Sequence, residues 1–154
     1  METPGNPALT YQAQTLSYGD LAQSIENFAG RLIELGVGRS ERVGIYLEKR
    51  PEFVVAAFGT MQAGAVFVPL NPLLKAEQVA YILRDCNVRV LVSSVERLAA
   101  LAPVLAQCHD LRTGTTVDAV VRPVPRARLA AVGDGVAAVL LGLLDVVFDD
   151  EDGE

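Results

Sequence analysis

The sequence predicts an α/β fold: a partial doubly wound parallel sheet with flanking helices and an N-terminal β-hairpin. Three observations lead there. From Arg42 to Pro72 the chain reads RVGIYLEKRPEFVVAAFGTMQAGAVFVPLNP, in which Val43–Leu47 and Ala65–Val68 are apolar runs of strand length. A helix-length segment joins them, and two such strands so joined imply a right-handed βαβ crossover in a parallel sheet. The alternation then repeats, so that the element order is hairpin, α, β, α, β, α, β, α.

Each element has its own signals. After a loose end from Pro4 to Pro7, Ala8–Tyr11 and Gln14–Leu16 read as short strands facing each other across Gln12-Ala13. Ser17-Tyr18-Gly19-Asp20 is a variant capping box that opens a helix. Its apolar positions Leu21, Ile25, Phe28, Ala29, Leu32 and Leu35 recur at helical spacing, Gln23, Glu26, Asn27, Arg31 and Glu34 form the wet face, and Gly36 ends it. Gly38-Arg39-Ser40-Glu41 is a surface turn by composition.

Pro51 stands where the first helical turn tolerates a missing N–H, and Glu52 beside it favours the positive helix end. That helix runs to Ala63, with Gly64 as its left-handed stop; Pro69 and Pro72 then end the second strand. The next helix spans about Lys75 to Cys86 with Val79, Ile82 and Leu83 inward, and Val88–Val92 is the third parallel strand. Ser93-Ser94-Val95-Glu96 reads as a capping box for a last helix whose stripe is Leu98, Leu101, Leu105 and Cys108. Pro103 falls inside it, which predicts a kink or two short pieces.

Composition sets the bounds. A chain of 154 residues with 51% hydrophobic and 21% charged residues is long enough for one real core. A net charge of −6 leaves no electrostatic footprint for nucleic acid, and part of the acidity sits in the terminal DDEDGE. Cys86 and Cys108 are too few and too far apart for a disulfide framework or a zinc site and read as buried free thiols. There is no basic region followed by an apolar stretch near Met1, and no apolar run reaches the ~20 residues a bilayer span needs. A cytoplasmic protein without membrane insertion is expected.

Past Arg112 the composition shifts: from Thr113 onward Ile, Lys, Asn, Gln, Ser and Tyr are missing, while Val, Ala, Gly, Leu, Asp, Arg and Pro dominate. Arg122–Arg126 reads as extended linker, and the period of Gly135–Phe148 fits a helix or a strand. The expected division is residues 1–112 as the folded part and 113–154 as a divergent tail, disordered or the product of a shifted reading frame.

RVGIYL, RPEFVVA and QAGAVFVPLNP together resemble the N-terminal part of the AMP-forming acyl-CoA synthetase/ligase superfamily of adenylating enzymes. The resemblance runs from about Ala8 to Asp110 and is strongest over Arg42–Pro72; NPLLKAEQVAYILRDC further resembles the subgroup associated with bacterial exosortase systems. It implies an acid–thiol ligase. In the full-length relatives, with ATP, Mg and CoA as cofactors, a carboxylic (fatty) acid attacks the α-phosphate of ATP, and CoA then displaces AMP to give the thioester. The phosphate loop ending in Pro-Lys-Gly, the Tyr/Thr/Glu motif, the ribose-holding Asp and the C-terminal Lys that do this are not found in the sequence. No catalytic, cofactor-binding or metal residue is therefore carried over. The resemblance implies a truncated ligase-like piece, inactive alone, whose partner is the remainder of the ligase if the enzyme is split. A non-enzymatic α/β binding or interaction module is the alternative.

The remaining motifs carry weaker signals. Thr113-Gly114-Thr115-Thr116 resembles the Thr/Gly half of a phosphate loop, but without the following glycine and lysine it reads as a polar loop after a helix. Gly36-Val37-Gly38 ends a helix, so cap and turn outweigh a dinucleotide signal. His109, at a helix end with only Asp110 near it, suits capping better than general-base work, and Lys49-Arg50 reads as a loop charge pair. Asn71 between two prolines is expected to satisfy backbone groups of its turn. If anything borders a substrate it is a strand end such as Pro69–Leu73, since α/β sheets take ligands at the carboxyl ends of strands.

Overall fold

A computed structural model describes residues 3–116. The hairpin pairs β1 (Pro7–Tyr11) with β2 (Gln14–Ser17), and the turn between them uses Gln12 at φ +52° where an Asn or Gly would be easier. It is seated on the start of α1 (Tyr18–Glu34), because the first helical N–H groups of Tyr18 and Gly19 donate to the carbonyls of Asn6 and Pro4 at 3.0 and 2.8 Å. The Ser17/Asp20 box is complete: the hydroxyl of Ser17 accepts from Asp20 N at 3.1 Å, and the carboxylate accepts from Ser17 N at 3.3 Å.

A four-stranded parallel sheet follows, in the order β4-β3-β5-β6, from β3 (Arg42–Tyr46), β4 (Val66–Pro69), β5 (Val88–Ser93) and β6 (Thr113–Thr116). The crossovers are α2 (Pro51–Gln62), α3 (Ala76–Asp85) and α4 (Val95–Leu105). Gly36 and Gly64 take φ +79° and +78° after α1 and α2, the left-handed stops that only glycine adopts without strain.

The sheet separates two cores. On one face Phe28 and Leu32 of α1 and Val55–Ala57 of α2 meet Val43, Ile45, Val90 and Val92. On the other, Val79, Ala80 and Leu83 of α3 and Leu98, Leu101, Val104 and Leu105 of α4 meet Tyr46, Leu70, Val88 and Leu91. Both faces being covered explains why the strands read as near-continuous apolar runs without alternation. Val88 and Val90 face opposite cores although two residues apart, because β5 carries a bulge: Arg42 pairs with Val88 but Val43 with Val90, which leaves Arg89 as the extra residue.

Several expectations are corrected. Thr113–Thr116 is a strand beside β5 and not a polar loop, since its backbone finds ladder partners there. Ser93 belongs to β5 and Ser94 is the cap of α4, its hydroxyl accepting from Arg97 N at 3.4 Å. α4 runs through Pro103 as one helix and ends at Leu105; Cys108 lies beyond it and is buried against the same core, whereas Cys86 is half-buried. Burial pushes the Cys108 thiol above its ordinary pKa, so it is a poor nucleophile. Ile82 is half-buried and Leu35 exposed, while Ala80 is an inward position of α3 that the apolar pattern missed. The linker at Arg122–Arg126 and the run Gly135–Phe148 lie outside the described residues.

Candidate functional site

The topologically expected site is the carboxyl edge of the sheet, where β3, β4 and β5 end and the turns into the helices begin. β3 delivers Tyr46, Leu47 and Glu48; β5 delivers Ser93; the β4–α3 connection delivers Asn71, Pro72 and Leu73; α4 delivers Arg97. Of these, Tyr46, Glu48, Ser93 and Arg97 are tied to one another. Ser93, fully buried, donates its hydroxyl to Tyr46 O at 2.6 Å, and the phenol of Tyr46 donates to Leu74 O at 2.7 Å. Arg97 lies over the Tyr46 ring, 4.6 Å from its centroid, and donates to Pro72 O at 2.9 Å and to Glu48 Oε1 at 2.8 Å. The bond to Glu48 is the largest influence raising the Arg97 pKa, in a guanidinium that is charged throughout the accessible pH range in any case.

The helix N-termini at this edge carry their own carboxylates. At α2, Glu52 is held below the usual range chiefly by the Arg50 guanidinium, which donates to it at 2.8 and 2.9 Å. At α4, Glu96 is lowered first by its own backbone N–H and then by Ser94. A carboxylate at a helix N-terminus occupies the positive end that would otherwise attract a phosphate. Arg50 stays in the loop beside Lys49, as its position suggests, and its guanidinium reaches the first turn of α2 to pair with Glu52. Asn71 acts as expected, its Oδ1 accepting from Leu73 N at 2.9 Å.

The opposite edge holds a charge network. Glu41 accepts from Gly38 N at 2.8 Å and pairs with Arg112 at 3.2 Å, and Arg89 pairs with Asp110 at 2.9 Å. Asn87, at φ +49°, donates to the same Asp110 at 2.7 Å. Arg89 Nε lies 3.5 Å from Glu41 Oε1 without hydrogen-bond geometry and is buried. Asp110 is thus taken by Asn87 and Arg89, and His109 is exposed in the turn before it, away from the carboxyl edge. Gly36 and Gly38 are the helix stop and turn that their spacing suggested.

At the carboxyl edge Arg97 and the hydroxyl of Ser93 are committed to carbonyls and Glu48, and Glu52 and Glu96 stand in the first turns of α2 and α4. Among the described residues no three His, Cys, Asp or Glu side chains gather.

Comparison with known proteins decides the family. A family model described as AMP-binding enzyme matches residues 1–136. The chain belongs to the AMP-binding enzyme family. The matched range includes residues beyond Arg112, where the composition shifts. Tyrocidine synthase 3 from Brevibacillus parabrevis is 35% identical over 113 residues, which are 71% of this chain and 2% of that protein. Nonribosomal peptide synthetase 8 from Aspergillus fumigatus is 32% identical over 114 residues, 74% of this chain and 1% of the relative. Among solved structures, the anthranilate CoA ligase AuaEII in complex with anthranoyl-AMP superposes with a TM-score of 0.74 at 27% identity, over 79% of this chain and 25% of that one. As a member of the AMP-binding family, the chain thus spans a quarter of that ligase and only a very small part of either synthetase. Among the described residues no helix is long and apolar enough to cross a membrane.

Proposed function

We propose that this chain is the N-terminal scaffold of an AMP-forming adenylating domain that activates a carboxylic acid with ATP, and that it is inactive alone. The observation that carries the reading is the family match over residues 1–136 on a sheet whose carboxyl edge is closed by its own side chains. The relatives' names speak of CoA ligation and of nonribosomal peptide synthesis; of these, transfer to the thiol of CoA is the outcome we favour for a complete domain, in the cytoplasm where ATP and CoA are plentiful. Within this reading Tyr46, Ser93 and Arg97 serve as fixed floor, and ATP, Mg and the acid are held by the rest of the domain, in the same polypeptide or a second one. Residues 1–112 are the part we assign to that scaffold.

ATP–pyrophosphate exchange tests this. The purified 154-residue chain should give no exchange with a panel of fatty and aryl acids. A chimera carrying residues 1–116 in place of the matching quarter of the anthranilate CoA ligase should retain exchange with anthranilate. Exchange by the chain alone, or a folded but silent chimera, overturns the reading. Sequence of the adjoining DNA would locate the remaining motifs in or out of frame.

A further inference from the structure

The connection from Leu70 to Lys75 crosses the carboxyl edge of the sheet, and its backbone has few ways to hold itself there. Pro69 and Pro72 have no N–H to give to a ladder or a turn. What fixes it is a set of bonds at its two ends, an Asn71 turn in which Oδ1 accepts from Leu73 N at 2.9 Å, and one bond to its middle from outside the loop. Leu70 N donates to Ile45 O at 2.9 Å, Leu74 N to Asn71 O at 3.1 Å, and Leu74 O accepts from Tyr46 at 2.7 Å. In the middle, Pro72 O accepts from Arg97, which arrives from α4. Between these points Leu73 is 87% exposed, an apolar side chain held out on a pinned loop.

We propose that Arg97 is a positioning residue that straps the Leu70–Lys75 loop down onto the edge of the sheet. The planar guanidinium lies flat on Tyr46 and still offers two N–H groups in its plane, one to Pro72 O and one to Glu48 Oε1, an arrangement a lysine ammonium does not reproduce. Glu48 is the lesser partner: its side chain is 65% exposed, against 22% for Arg97, and exposed pairs contribute little. The strap stands on these contacts alone. Its role, setting the shape of the floor beneath an adenylating site, rests on the function proposed above.

Amide hydrogen exchange on the 154-residue chain, with limited trypsin digestion at the exposed Lys75, tests the strap. Arg97→Met keeps the aliphatic stem and removes the fork. It should speed exchange of the Leu73 and Leu74 amides and cleavage after Lys75 by roughly tenfold, the loss expected for one charge-assisted hydrogen bond. The amides of β3 and α1 should keep their protection. Arg97→Lys should recover only part of that effect, and Glu48→Gln should change it little. Unchanged exchange at Leu73 and Leu74, acceleration spread evenly over α4 and β5, or full recovery by lysine would each overturn the proposal. If Arg97→Met does not fold, the Arg97→Lys comparison with wild type carries the same test. Exchange is blind to adenylation, so the strap and the function above fail separately.

Discussion

At the residue scale, the tightest constraint is Gly59 in the middle of α2. A Cβ there would sit 2.6 Å from Phe28 Cδ1 and 3.1 Å from Ile25 O, so α1 and α2 touch backbone to side chain at this point. Helix propensity alone would make Gly59→Ala stabilising by about 0.5–1 kcal/mol. Overpacking costs about 1–3 kcal/mol and opposes it, so the alanine variant should lower the urea midpoint; a raised midpoint would mean that Phe28 moves aside freely. Gly44 is a milder case, since its Cβ would meet the Val88, Leu70 and Leu83 side chains at 3.2–3.3 Å, and these buried side chains would have to shift by only a few tenths of an ångström.

Glu41 and Asp110 are among the carboxylates that make stability depend on pH, with Asp20, Glu52 and Glu96. The backbone N–H of Gly38 is the largest influence holding Glu41 below its ordinary pKa, and Asn87 is the largest on Asp110, with Arg89 aiding both. A folded-state pKa below the unfolded value means stability that is present at neutral pH and is lost as the pH falls through the carboxylate range, about 4 and below. Urea midpoints measured at about pH 7 and pH 3 should therefore fall with acid, and Glu41→Gln should flatten the slope. An equal slope in the variant would assign the acid sensitivity to other carboxylates.

At the scale of elements, caps are where local chemistry is most separable. Ser17→Ala removes the acceptor for Asp20 N and should cost about 1 kcal/mol, whereas Lys75→Ala should cost little, because at α3 the backbone N of Lys75 donates to Gln78 Oε1 and the lysine side chain has no oxygen to cap with. Thermal unfolding of the two variants checks the difference. The same locality explains what the sequence made legible. The Ser17 box, Pro51, Gly36, Gly64 and the apolar runs state their structure within a few residues, and the helices and first three parallel strands follow from them. β6 was not legible because Thr113-Gly114-Thr115-Thr116 has no apolar run, and its strand state comes from the ladder that β5 offers. The one-residue shift of the α4 cap has the same origin, since the buried place of Ser93 depends on Tyr46 O across the sheet. The Arg97 strap joins residues 25 positions apart and has no sequence signature.

At the scale of the molecule, β3 and β5 belong to both cores, through Val43 and Ile45 on one side and Tyr46 on the other, and through Val90, Val92, Val88 and Leu91. The cores should therefore unfold together. Val43→Ala and Leu91→Ala, one for each face, should each lower the exchange protection of α1 and α3 amides equally, and loss confined to one face would mean that the sheet does not couple them. The Arg89 bulge that turns Val90 toward the first core has a further consequence for biosynthesis. When α1, β3, α2 and β4 have left the ribosome, the surface that awaits Val90 and Val92 is still bare, and it stays bare until β5 emerges. A nascent chain of this protein thus carries an apolar face through the whole synthesis of α3, the interval in which chaperones or self-association compete for it.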